Sequence, residues 1–213
     1  MRMSGLQLDA MIDELTPVRR IAPMRGLAIA LGVAAAVTLA VAVGVGLRPD
    51  VAAWRPDEMV VLRGGALLLL GIATIATVAA SARPAIGPQR TGWRWALAAM
   101  ALFPLSSLAL LIGGEAFPAA VLTAETARYC IGISVGGGLA IGAALTLWLR
   151  QGAVTDLRRA GWLVGLGAGA FGTFAYSLHC PSDSVHYIAL WYSLALALCA
   201  AIGRLAVPRL LRW

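Results

Sequence analysis

The sequence predicts an all-α polytopic membrane protein: a bundle of six transmembrane helices behind a short cytoplasmic N-terminal helix, with both termini cytoplasmic. Three observations carry this. First, 60% of the 213 residues are hydrophobic and only 13% are charged, more apolar residue than the core of a soluble domain of this size needs. Second, the apolar residues gather in six stretches, 27–47, 60–82, 93–113, 129–149, 161–180 and 186–206. Each matches the ~20 residues a helix needs to cross the hydrocarbon layer. Third, the links between the stretches alternate in charge.

All 17 basic residues are arginine. Thirteen (Arg2, Arg19, Arg20, Arg25, Arg83, Arg90, Arg94, Arg150, Arg158, Arg159, Arg204, Arg209 and Arg212) precede the first span, flank the second and fourth links, or follow the sixth span. Four (Arg48, Arg55, Arg63 and Arg128) fall on the opposite side. The positive-inside rule puts the arginine-rich side in the cytoplasm of a bacterial inner membrane. The sequence pI near 10.3 therefore reflects that membrane face. Direct nucleic-acid binding is a poor alternative, because the arginines are dispersed over four juxtamembrane sites. The bilayer is the first partner implied.

Residues 1–26 form the one cytoplasmic segment long enough to hold a partner, and residues 27–213 form the membrane domain. The run Leu27 to Leu47 is longer than a signal-peptide core and is preceded by 26 residues, so it reads as a retained helix. Within the segment, Ser4 and Gln7 fit a capping box. Leu8, Met11, Ile12 and Leu15 then make one apolar stripe at i, i+3, i+4 and i+7, with Asp9, Asp13 and Glu14 on the other faces. Pro17 ends the pattern. Two to three turns are unstable alone in water, so such a helix gains order by docking its stripe into a groove. Its acids argue against an interfacial helix on anionic lipid.

In the first outer link Trp54 reads as an interface anchor. Arg63, just inside the second span, is expected to snorkel outward and to have no mechanistic role. Pro104 predicts a kink in span three, its freed carbonyl satisfied by Ser106 or Ser107. Trp93, Trp95, Trp148, Trp162 and Trp191 read as belt residues near span ends. Spans four and five are rich in glycine: Gly132 and Gly136, Gly138 and Gly142, then Gly161, Gly165 and Gly169. Small residues at this interval let helix backbones approach closely in lipid, which predicts a tight four–five hairpin.

Cys130 and Cys180 each lie 25 residues from Thr155, in the link between those spans. Antiparallel helices rise equally per residue, so both thiols reach the same height, at the outer face. A tight hairpin brings them toward the ~7 Å Cα separation that a disulfide requires. Both histidines, His179 and His186, lie within six residues of Cys180. A thiol pair facing an oxidising compartment can form a disulfide, react with an oxidant, or hold a transient soft metal ion with imidazole nitrogen. Cys130, Cys180, His179 and His186 are the candidate metal ligands; no resident cofactor is called for. A permanent structural bridge is the alternative. Cys199, mid-span in helix six, reads as packing.

The sequence contains no CxxC, no HExxH and no glycine-rich phosphate loop flanked by a strand and a helix, and the span interiors carry no acid, so neither an enzyme nor a proton-coupled pump is indicated.

Leu15-Thr16-Pro17-Val18-Arg19-Arg20, six spans, the cysteine at the head of span four, His179-Cys180-Pro181 and the terminal Leu210-Leu211-Arg212-Trp213 together resemble the NrsF-type membrane anti-sigma factors. The resemblance covers nearly the whole chain. It implies a protein that sequesters an extracytoplasmic-function sigma factor at the inner membrane and releases it under heavy-metal or oxidative stress. It also maps signal sensing onto Cys130 and Cys180. The sigma-binding segment would comprise Leu8, Asp9, Met11, Ile12, Asp13, Leu15, Thr16, Pro17, Arg19 and Arg20. Two rivals stand beside it: a small exporter or permease for a metal or oxidant, with Thr74, Thr77, Ser106, Ser107 and Ser134 as a sparse polar path, and a structural subunit with a static Cys130–Cys180 bridge.

Overall fold

In a computed structural model the chain is described over residues 22–82, 91–123, 125–152 and 154–211. Among these residues it is helical, without strands. We label the long helices α1 (Pro23–Gly44), α2 (Glu58–Ser81), α3 (Gly92–Ile112), α4 (Glu125–Leu149), α5 (Leu157–Ser177) and α6 (Val185–Leu210). Two short helical turns, Pro49–Ala52 and Ala119–Thr123, lie in links.

Local chemistry fixes the helix starts. Pro23 occupies the first turn of α1, where a missing N–H costs nothing, so α1 begins four residues earlier than hydropathy alone indicates. Asp57 caps α2 by accepting the Met59 N–H at 2.9 Å, and Asp156 caps α5 by accepting the Arg159 N–H at 3.0 Å. After α1 the chain turns at Gly46, with φ of 92°, a conformation glycine adopts without a Cβ clash.

α1, α2, α3, α4 and α6 are long and apolar enough to cross a bilayer. Large aliphatic side chains such as Leu39, Leu69, Leu102, Leu147 and Leu205 stand exposed on the outside of the bundle, the inverse of a water-soluble surface.

α5 is different because it is central. It packs against α1, α2, α4 and α6, and nearly every residue from Ala160 to Ser177 is buried. Enclosed by protein, it can spend its length on glycine. The expected hairpin partner of its glycine stripe is corrected here. A Cβ on Gly161, Gly165 or Gly169 would strike α6, at the Gly203 carbonyl, the Cys199 carbonyl and the Cys199 side chain respectively. The approach to α4 is made by Gly172, where a Cβ would meet the Ser134 carbonyl and Gly138, and by Gly138 of α4, where it would meet the Gly169 Cα and the Ala168 carbonyl. Gly167 faces Thr74 on α2. Gly132 and Gly136 of α4 face open space. Cys199 packs in this crowded seam, buried, as expected.

Several tryptophans also depart from the belt reading. Trp148 is buried because its ring fills the space left by Gly26 on α1. Trp93 meets Trp162 edge-on, with centroids 5.2 Å apart, and Trp191 donates to the Val121 carbonyl at 2.9 Å. Trp54 and Trp95 are exposed.

The backbone contacts predict a sharp contrast. Gly165→Val in detergent-solubilised protein lowers the melting temperature by roughly 2–12 °C, from an overpacking cost of about 1–3 kcal/mol. Gly132→Ala leaves it unchanged. Equal melting temperatures for both variants would show that the α5–α6 seam does not hold the bundle.

Candidate functional site

α5 ends at Ser177 rather than at residue 180, so Cys180 lies in the loop that joins α5 to α6. The His179 and Cys180 N–H groups both donate to the Tyr176 carbonyl, at 2.9 and 3.0 Å, and close the helix. Pro181 follows, with no N–H and a fixed φ. The loop carbonyls therefore have no helical donors, yet they lie at the end of an apolar bundle, where an unpaired carbonyl is costly.

Two arginines supply the donors. Arg63 of α2 does not snorkel outward: it is 0% exposed, and it turns inward because the loop needs its N–H groups. Its Nη2 donates to the Ser177 and Cys180 carbonyls, each at 3.0 Å, and its Nη1 donates to the Ser182 carbonyl. Arg48, just past α1, donates through Nη1 to the Cys180 carbonyl at 3.1 Å and through its backbone N–H to the Leu178 carbonyl at 3.0 Å. Asp183 balances the charge. It receives a forked contact from Arg48 at 2.7 and 3.1 Å and stands 3.7 Å from Arg63.

Asp50 takes Arg48 Nε at 2.9 Å and the Asp57 N–H at 3.0 Å. These contacts join the Asp57 cap of α2 to the loop. The Asp183 fork raises the Arg48 pKa above its ordinary value, against the opposing cost of burial. Hydrogen bonding from Arg48, then from the Asp57 backbone, pulls Asp50 down to about 2.

Cys130 lies in α4, five residues from its start at Glu125, and Cys180 lies opposite. Both are buried free thiols in one cluster with Leu67, Leu70, Tyr176, Tyr187 and Tyr192. The Tyr176 hydroxyl donates to the Thr126 carbonyl at 3.0 Å, tying the end of α5 to the first turn of α4. Among the described residues, the hydroxyls of Ser134, Tyr187 and Tyr192 and the Nε of Arg63 find no hydrogen-bond partner. Tyr192 belongs to a π-turn, Ile188–Tyr192, in α6, and its ring lies 6.0 Å from the Arg63 guanidinium carbon.

The histidines do not converge on the thiols. His179 Nδ1 lies 3.0 Å from the Gly46 carbonyl. His186 Nδ1 lies 2.7 Å from Ser107 Oγ, and its Nε2 is 3.9 Å from Glu115. Ser107 thus faces His186 across the α3–α6 contact. Among the described residues no group of three or more His, Cys, Asp or Glu side chains is placed to hold a metal ion. The pair alone offers two sulfur donors, suited to a disulfide or a soft ion. The sigma-binding candidates Leu8, Asp9, Met11, Ile12, Asp13, Leu15, Thr16, Pro17, Arg19 and Arg20 lie outside the described residues.

Sequence reasoning missed Arg63 and Arg48. The available signal was indirect: a non-helical His-Cys-Pro-Ser-Asp run at the bundle end needs several N–H donors, and arginine carries five.

Over residues 12–213 the sequence matches the family model described as NrsF, negative regulator of sigma F. The chain belongs to the NrsF family. That description is of a regulatory family. Among its relatives are the anti-sigma-F factor NrsF of Caulobacter vibrioides, 42% identical over 71 residues, and the probable anti-sigma-F factor NrsF of Azospira oryzae, 39% identical over 71 residues. Each alignment covers 33% of this chain and 33% of the relative, so the chain spans about a third of the length of the curated relatives it matches. No solved structure matches the chain. The NrsF match includes Cys130, Cys180 and both clamp arginines, and of the N-terminal candidates it takes in those from Ile12 onward.

The clamp has a pH signature. A depressed carboxylate contributes stability above its unfolded pKa of ~3.9 and loses it as pH falls through its folded value, which is about 2 for Asp50. Hydrogen exchange of residues 178–184, corrected for intrinsic rates, is therefore flat from pH 5 to 8. Asp183→Asn speeds it throughout that range. A step near pH 6 would show that another group controls the loop.

Proposed function

We propose that this chain is an inner-membrane anti-sigma factor with six spans and both termini cytoplasmic. It holds an extracytoplasmic-function sigma factor through its N-terminal segment and releases it when Cys130 and Cys180 react. The observation that carries the reading is the family match from residue 12 to 213. The sixth span is α5, which can cross the bilayer without an apolar surface because other helices sheathe it. The division of arginines between the two faces supports the orientation.

In this mechanism the stripe Leu8, Met11, Ile12 and Leu15, with Asp9, Asp13, Thr16, Pro17, Arg19 and Arg20, docks on the sigma factor and hides its polymerase-binding surface. The signal acts at the thiols. With a peroxide, both sulfurs lose their protons and two electrons, an S–S bond forms, the O–O bond breaks and two waters leave. With a soft divalent metal, two protons leave and two thiolates bind the ion. Either bond ties α4 to the α5–α6 loop. Near-complete release requires the signal to shift the balance of two states by about 5 kcal/mol, within reach of a covalent or thiolate–metal bond.

Two measurements test this. Membranes carrying the full chain capture the sigma factor encoded beside it, and a chain lacking residues 1–20 does not; capture by neither refutes the anti-sigma reading. Cys130→Ser or Cys180→Ser abolishes induction of a sigma-dependent reporter by cadmium or peroxide while leaving basal repression intact. Normal induction in either variant would reduce the pair to packing.

A further inference from the structure

Arg63 is a guanidinium placed without exposure inside the bundle, and all its observed hydrogen bonds go to the backbone on either side of one thiol. A buried charge persists only where it is paired and hydrogen-bonded. Here the partners are the carbonyls of Ser177, Cys180 and Ser182, with Asp183 at 3.7 Å. The effect on Cys180 is specific. Its N–H is held by Tyr176, its carbonyl accepts from Arg63 and Arg48, and its successor is proline. Little main-chain freedom remains at Cys180, so the direction of its Cβ is set. The sulfur keeps its own side-chain rotation and lies 4.0 Å from the Ser182 carbonyl, an acceptor that Arg63 also holds.

We propose that Arg63 is the positioning residue of the thiol pair: it holds the Cys180 turn so that this sulfur faces Cys130, and thereby sets how fast the two can be joined. The inference rests on the reading of Cys130 and Cys180 as the sensing pair and adds the residue that controls their reactivity. The guanidinium stays charged at every working pH, so its hold on the three carbonyls does not vary with protonation. Lysine at position 63 would keep the charge but could not span three carbonyls with a rigid fork. Position and charge are therefore separable.

The test follows oxidation of full-length protein in its membranes by diamide. The two sulfurs pass two hydrogens to the azo bond, giving a hydrazine and a disulfide. Free thiols are then counted, after denaturation, by maleimide–polyethylene glycol mass shift. In the native chain two of the three cysteines disappear together. Arg63→Gln slows their loss by about tenfold or more, the scale of effect expected when reacting groups are misplaced. Arg63→Lys falls between the two. Arg128→Gln, at an exposed arginine near Cys130, behaves as native.

A native rate in Arg63→Gln, or a lysine variant no faster than the glutamine variant, overturns the proposal. If Arg63→Gln fails to accumulate, Asp183→Asn decides, because it loosens the same loop from the surface: a slower rate supports the proposal and a native rate overturns it. Native thiols that diamide fails to join also overturn it. No sigma factor enters these measurements. Capture of the sigma factor, scored on the same membranes, reports on the regulatory reading separately.

Discussion

The bundle depends on what happens to the carbonyls of one loop. Between α5 and α6 the chain must reverse at the end of an apolar assembly, and Pro181 removes an N–H that could have served that turn. Arg63 and Arg48, counting the Arg48 backbone N–H, make five contacts to four carbonyls of the helix end and loop, those of Ser177, Leu178, Cys180 and Ser182. The cost of burying Arg63 is offset because the loop would otherwise leave its own polar groups unpaired. Arginine and loop each make the other's placement tolerable. This mutual need explains why a charged residue sits six positions inside the second helix facing inward.

The second constraint is the closeness of α5 to its neighbours. Gly165 and Gly203 bring α5 and α6 into backbone contact, and Gly172 with Gly138 does the same for α5 and α4. Association in lipid gains little from hydrophobicity and much from such close packing. Bulk is returned where glycine leaves room: Trp148 over Gly26, Phe171 over Gly71 and Phe174 over Gly64. The aromatic residues thus belong to the interior of the bundle more than to its rim.

Much of this was legible in the sequence. Helix existence followed from hydropathy, because a run such as Glu58–Ser81 has no other stable state in lipid. Cys130 and Cys180 do share one buried cluster, although Cys180 lies three residues past the end of α5 and not on the helix whose rise suggested the pairing. Contact faces did not follow. Gly161, Gly165 and Gly169 announce a smooth stripe, but spacing cannot say whether α4 or α6 lies against it; only the rotation of α5 within the whole bundle decides that. Arg63 was misread for a related reason. Snorkelling is the default for an arginine near a span end, and the competing demand came from a segment over a hundred residues away. His186 stood near Cys180 in sequence, yet the start of α6 turns its ring to Ser107 on α3.

The two constraints meet at the thiols. Cys130 belongs to α4, Cys180 to the α5–α6 junction, and Arg63 fastens that junction to α2. A change in distance between the sulfurs larger than side-chain rotation allows is taken up by rotation or sliding of whole helices, because at Gly161, Gly165 and Gly172 the seams along α5 are backbone against backbone. Close-packed interfaces resist continuous deformation and favour discrete rearrangements. α4 and α5 run from the cysteine end to the link around Thr155, and α6 runs from the loop to Leu210, past the Gly161–Gly203 contact at the far end of the seam. The same glycines that make the bundle tight are what would carry a displacement at one end of it to the other.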